Sequence, residues 1–200
     1  MGGTMTNQHS PALARRGVLA LGLTAGVGLV GARSAAAATS VSYSYQRQQT
    51  QSWCSAASSR IALTAKGRTP TQASLAASLG LSGGSGLQDP LAIARVLSDR
   101  LGIAGNARRY RFRQPAAGTL KATLHQHVRT SIDAGYPVVI NMNQVNGDHY
   151  SAGHYIAIVG YRAGDYKIAD PDEPARNGVW RDEDSIVLWN KLNRYTAFGG

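Results

Sequence analysis

The chain carries a single cysteine, Cys54, among 200 residues, and a cysteine held as its thiolate is a strong nucleophile toward a carbonyl carbon. A helix N-terminus and a neighbouring imidazolium both favour the thiolate. Cys54 opens a run in which Ala57, Ile61, Ala62 and Ala65 recur at three- and four-residue spacing, with Gly67 as a C-terminal stop. That spacing predicts a helix with Cys54 in its first turn. His154 follows Gly153 and heads the apolar run Tyr155 to Tyr161, a predicted strand that would hold the ring on a rigid element, as a general base requires. Asp170 ends the next β-rich run, just before Pro171. The outer ends of paired strands are neighbours, so Asp170 is placed to accept a hydrogen bond from His154 and fix its tautomer. Gln48 precedes Cys54 by six residues and can fold its amide over the thiol, joining the Cys54 N–H as a donor to an oxyanion. Gln46, Gln49 and Gln51 compete for that part.

Each of these residues has a plainer reading. A lone cysteine is ordinarily a small buried hydrophobe, and in an exported protein it can also form an intermolecular disulfide. His149 precedes a tyrosine as His154 does, but it is expected in a Gly/Asn/Ser loop with no apolar strand after it. Asp148, His149 and His154 match no strong zinc spacing, so neither a metal nor a cofactor is expected. His125 and His127 lie two apart on a predicted helix and are read as surface residues. Asp172 is the alternative to Asp170, expected to be solvated beyond the proline. Trp180 and Trp189 are candidates to shield the His154–Asp170 bond, with core packing as the ordinary alternative. Trp53 is expected beside the helix start.

The elements that must position these groups follow from patterning. Thr39 to Gln51 reads as an extended lead-in. Thr69-Pro70-Thr71-Gln72 has the form of a capping box opening a second helix to about Leu79. A Gly/Ser loop spans Ser82 to Gly86, and Asp89-Pro90 starts a third helix ending near Gly102, with Leu91, Ala94, Leu97 and Leu101 as its core stripe. Arg108 to Arg113 reads as a strand, and Thr119 as the cap of a fourth helix carrying Leu120, Leu124, Val128 and Ile132. Pro137 to Asn143, His154 to Arg162 and Tyr166 to Asp170 read as antiparallel strands. A short helix around Ser185 to Leu192 and a strand near Tyr195 to Phe198 follow. Helices first and strands second predict an α+β fold, a helical half packed on a C-terminal antiparallel sheet, with the cleft between them as the place where Cys54 and the histidines can meet.

Taken together, Gln48-x5-Cys54, Gly153-His154-Tyr155 on an apolar strand and Asp170-Pro171 resemble the C39-like branch of the papain-like cysteine peptidases, in the exported single-domain form seen in actinobacteria. The resemblance runs from about Tyr45 onward and includes Ile61 to Ala65 and Tyr136 to Val139. It implies Cys54 as nucleophile, His154 as base, Asp170 as its orienting partner, Gln48 as oxyanion donor, and a peptide or protein substrate. Members commonly continue the nucleophile as Cys-Gly-Pro-Ala. Here Cys54-Ser55-Ala56-Ala57 stands instead, nearer to papain-like branches with Trp-Cys-x-Ala-Ala. Leader processing by transporter-fused C39 domains is not carried over, since this sequence contains no transporter segment.

Composition is that of an ordinary globular domain, 43% hydrophobic and 16% charged. Residues 1–38 differ: they lack Asp and Glu, carry Arg15-Arg16, then run apolar from Gly17 to Val30 into Ala35 to Ala38. This is the layout of a cleavable export signal of twin-arginine type, leaving residues 39–200 as the peptidase domain, secreted and with no membrane attachment. About nine residues then precede Gln48, too few for a folded inhibitory pro-segment. Removing Arg15, Arg16 and Arg33 from 21 basic residues leaves 18 against 11 acidic ones, a net +7 that favours polyanion or cell-wall association. The cluster Arg108, Arg109, Arg111 and Arg113 alternates with Tyr110 and Phe112 as a solvated strand face does, and no specific nucleic-acid partner is expected. The expected reaction is hydrolysis of a peptide or related amide bond through an acyl-enzyme. The alternatives are a transpeptidase or amidase using the same groups, and a non-catalytic binding module on the same fold.

Overall fold

Alternation along the strands decides which residues face which layer. In β3 (Val138–Val145), Val138, Ile140 and Met142 enter one apolar cluster and Val139 another. In β4 (Asp148–Arg162), Ile156 and Ile158 join the first cluster while Tyr155, Ala157 and Val159 face the other way. Side chains two apart share a face, so a sheet apolar on both faces must be covered on both. The computed structural model describes residues 37–81 and 84–200, and its helices do this. On one side α4 (Leu120–Asp133) and α5 (Glu183–Trp189) contribute Leu120, Leu124, Val128, Ile132, Ile186 and Trp189. On the other lie α1 (Cys54–Thr64), α2 (Gln72–Leu79) and α3 (Leu91–Leu101).

The architecture is α+β, five helices with an antiparallel sheet of seven strands among the described residues. The remaining strands are β1 (Thr39–Ser40), β2 (Arg109–Arg113), β5 (Asp165–Ala169), β6 (Asn177–Asp182) and β7 (Tyr195–Gly199). The order is β2-β7-β3-β4-β5-β6, with β1 paired to β4 at Gly160 and Tyr161. Gly160 is required there, because a Cβ would stand 2.7 Å from the Thr39 carbonyl oxygen. The two halves are therefore more interleaved than expected: β2, from between the helices, is an edge strand of the sheet, and helices cover both faces.

Several local expectations are corrected. Helix α3 buries Ala92, Ile93, Val96 and Leu97, with Ala94 and Leu101 partly buried against the same cluster; of the expected stripe only Leu91, 57% exposed, stands out of the core. Thr71, two residues later than expected, caps α2 by accepting from the Ser74 N–H. The Thr119 hydroxyl donates to the Ala116 carbonyl and caps nothing. Strand β6 was not anticipated: none of its side chains is fully buried, so Asn-Gly-Val-Trp-Arg-Asp shows no clean alternation. The candidate export signal lies outside the described residues apart from Ala37 and Ala38, as do Ser82 and Gly83 of the Gly/Ser loop.

On β2, Tyr110 is buried edge-on against Tyr136 and Phe198. The alternate residues Arg109, Arg111 and Arg113 donate to the carbonyls of Asn106, Ala107 and Gly200.

Candidate active site

Cys54 is the first residue of α1, and no side chain caps that helix start. Its N-terminal N–H groups and the positive end of the helix dipole therefore remain available to a negative charge. Ala56 and Ala57 are fully buried, and small side chains there let α1 lie close on the sheet. Ser58, one turn on, donates its hydroxyl to the Tyr155 carbonyl at 2.8 Å. That bond pins α1 to β4 one residue from His154. Cys54 is 8% exposed and borders a cleft of about 410 Å³ together with Gln51, Asn141, Gly153, Tyr155 and Arg194.

His154 is 2% exposed and Asp170 is wholly buried. The His154 Nε2 and Asp170 Oδ1 are 2.7 Å apart, and the ring lies close enough to the Cys54 side chain to feel its charge. With Nε2 committed to Asp170, Nδ1 is the nitrogen left for Cys54. Burial opposes charge on the ring, but the hydrogen bond to Asp170, the neighbouring Cys54 and the Asp170 charge outweigh it, and the pKa is pushed up to about 9. Asp170 shows the converse balance. Burial would raise its pKa, yet the bond from His154, the Asp172 N–H (3.0 Å) and the Arg176 guanidinium (3.3 Å) hold the carboxyl below the ordinary carboxylate range. An ionised Asp170 accepts, so Nε2 carries the proton.

Two residues beside this pair were not singled out from the sequence in any such part. Tyr150 stacks on the His154 ring, centroids 4.2 Å apart and planes 16° from parallel. It shields the ring in the way anticipated for a tryptophan. Trp180 instead lies beneath the Arg162 and Lys167 cations, and Trp189 is in the core. Arg176, in a 3-10 turn before β6, spans Asp170 Oδ2, the Tyr150 hydroxyl and the Asp148 carboxylate. Sequence spacing carries no signal for Arg176, because the β5–β6 connection that returns it to Asp170 leads into the strand that patterning missed.

Gln48 sits on the lead-in segment, with its backbone N–H donating to the Pro171 carbonyl beside Asp170. Its Nε2 donates to the Gln51 carbonyl at 3.2 Å, which leaves the second amide proton free, and its Oε1 has no partner among the described residues. Of the competitors, Gln46 accepts from Gln72 and Gln51 borders the cleft. Gln72, expected in a capping box, is buried and does something else. It donates to Gln46 Oε1 and the Arg47 carbonyl, and accepts from the Gln49 N–H. Three bonds from one buried amide thus fix the segment that carries Gln48.

The other histidines and carboxylates fall elsewhere. His149 is on β4 rather than in a loop, paired across to Gln144, and exposed at the cleft. Asp148 is ion-paired to Arg176. Asp172 is half-buried, its backbone N–H bonded to Asp170 and its carboxylate accepting from Tyr150. His125 and His127 are half-buried, not free surface residues: His125 meets Glu183 at 2.7 Å and His127 the Tyr195 hydroxyl at 2.9 Å. Trp53 packs at the start of α1 as expected.

This fold recurs in solved peptidase structures. A protein of Bacillus anthracis described as a C39-like peptidase superposes with a TM-score of 0.58 at 13% identity, covering 82% of this chain and 98% of its own. The peptidase domain of Streptococcus ComA, a bifunctional ABC transporter involved in quorum sensing, gives 0.55 at 16% identity, covering 79% and 98%. A double glycine motif protease from an AMS/PCAT transporter, solved with its leader peptide, gives 0.54 at 14%, covering 80% and 93%. Residues 40–200 match the model of the Peptidase_C39 like family, and the chain belongs to that family. No curated protein matches the sequence.

Proposed function

We propose that this chain is an exported cysteine peptidase that hydrolyses peptide bonds through Cys54, His154, Asp170 and Gln48. The observation that carries the proposal is a buried histidine bonded through one nitrogen to an ionised carboxylate, with the Cys54 side chain beside the ring. The Cys54 thiolate attacks the substrate carbonyl carbon, forming an S–C bond and a tetrahedral oxyanion. The Cys54 N–H and the free amide proton of Gln48 are the donors toward that oxygen. On collapse the C–N bond breaks and the leaving amine takes the proton from His154 Nδ1. A water then gives a proton to Nδ1 as it attacks the thioester, the S–C bond breaks, and thiolate and imidazolium are restored. Asp170 stays ionised throughout and holds the ring in register. The peptide substrate is supported by family membership and by the leader peptide bound to one structural relative. Export is supported by the character of residues 1–38.

The test is digestion of a random peptide library by the purified protein, read by mass spectrometry beside Cys54→Ala. Cleavage that vanishes in the variant is expected. New ligated peptides without hydrolysis would assign a transpeptidase, and cleavage that persists in Cys54→Ala would falsify the role of the thiol.

A further inference from the structure

The cleft beside Cys54 has one fixed charge. Among its described lining residues Arg194 is the only Lys or Arg, and no Asp or Glu borders it. The rest of the wall is polar and neutral or apolar, apart from the titratable His149 and the Cys54 thiol itself. Arg194 makes no salt bridge or side-chain hydrogen bond among the described residues, and its Nε is buried without a partner. Asp89, adjacent in chain to the lining residues Gln88 and Pro90, is turned to the Leu91 N–H and to Arg95. A guanidinium left unpartnered in a half-buried setting forfeits charge-assisted hydrogen bonds that a ligand can supply.

The backbone holds Arg194 in place. Its N–H donates to Asn190 Oδ1 at 3.0 Å, and its carbonyl accepts from the Asn141 N–H at 3.0 Å. Asn190 is 1% exposed and also accepts the Asn193 N–H on its carbonyl. Asn193 adopts φ +54°, in the left-handed region that asparagine tolerates, and this turn delivers Arg194 to the cleft. Tyr155 lies within reach of these charges: burial and the negative charge of Cys54, with a smaller push from Asp89, raise its phenol to about 12, with Arg194 and the Asn141 side chain opposing. On the same wall Asn141 Oδ1 is also buried and unpartnered, an acceptor suited to a substrate backbone N–H.

We infer that Arg194 is a specificity residue that binds a carboxylate of the peptide substrate, so that the peptides taken by the cleft carry an acidic side chain or a free C-terminal carboxylate close to the bond presented to Cys54. This rests on the peptidase reading but is separable from it. A guanidinium on a rigid turn can pair both oxygens of a carboxylate, which a lysine cannot do with the same geometry.

The experiment selects binders, so that it does not depend on turnover. Cys54→Ala protein is presented with a random peptide library in free-acid and C-terminally amidated forms, and the retained peptides are sequenced. The same selection is run on Cys54→Ala with Arg194→Glu and with Arg194→Lys. Expected is enrichment of Asp or Glu at one position, or about tenfold preference for free-acid over amidated peptides, the two arms telling side chain from terminus. Arg194→Glu reverses the preference toward Lys and Arg, and Arg194→Lys retains it in weakened form. Retained peptides with no carboxylate preference, or a preference unchanged in Arg194→Glu, overturn the inference. If library cleavage fails while acidic binders are selected, the peptidase reading falls and the Arg194 site stands. If cleavage depends on Cys54 but no acidic preference is found, the Arg194 site falls and the peptidase reading stands.

Discussion

At the Asp170 end of the site every carboxylate oxygen is engaged: Oδ1 by His154 and Asp172, Oδ2 by Arg176, and even the Asp170 backbone carbonyl by the Tyr45 hydroxyl at 2.9 Å. At the Cys54 end polar groups stand open. Among the described residues no side chain caps the start of α1, and Gln48 keeps a free amide proton. The end that orients a ring is saturated, and a saturated buried network is rigid. The end that receives a substrate carbonyl in the proposed mechanism holds its donors in reserve, as preorganised stabilisation of a developing charge requires.

The strongest way to break this contrast is Asp170→Asn, which keeps the shape but removes the charge that holds the His154 proton on Nε2. Library cleavage should fall by roughly 10²–10⁴-fold with the fold intact; near-normal turnover would mean that His154 is oriented by something else. Arg176→Met acts one step further out. It removes one support of the ionised Asp170, so turnover should drop about tenfold, the scale of a charge-assisted hydrogen bond. The loss of activity on acidification should also begin at a higher pH, because Asp170 then protonates more readily. An unshifted pH profile would reduce Arg176 to packing.

Stability should carry the same signature at alkaline pH. A histidine raised to about 9 when folded, against about 6.5 when unfolded, contributes stability that is fully present below pH 6.5 and lost as pH rises through 9. Thermal unfolding of the wild type should decline over that window more steeply than that of His154→Gln, and parallel curves would contradict it. The smallest expected effect lies between the two ends, at Ser58. Ser58→Ala strands the buried Tyr155 carbonyl and should cost about 1–2 kcal/mol in urea unfolding, with kcat reduced more than KM is raised.

The legible parts of this molecule were those with strong periodicity or a distinctive residue. Leu120, Leu124, Val128 and Ile132 gave α4, the apolar run after His154 gave the inner part of β4, and the single cysteine at a helix start drew attention to itself. What patterning could not reach were contacts made by folding distant segments together. Gln72 looks like a capping residue until the lead-in is seen against it, and Arg176 looks like a surface charge until β6 returns it to Asp170. Tyr150 was hidden because β4 continues past Gly153, whose φ of +82° and close approach to Asn141 Nδ2 interrupt the strand's alternation. The phase of α3 is legible only in part, with Leu97 in the core but Leu91 exposed and Ala92, Ile93 and Val96 buried, because alanine and leucine occupy both its faces.

The coupling of Cys54 to His154 is the claim on which the rest depends. It is tested most directly by the rate of Cys54 alkylation by iodoacetamide at pH 6, compared between the wild type and His154→Ala. The wild-type thiol should react at least about tenfold faster, because only there does an imidazolium face the sulfur. Equal rates in the two proteins would contradict the account.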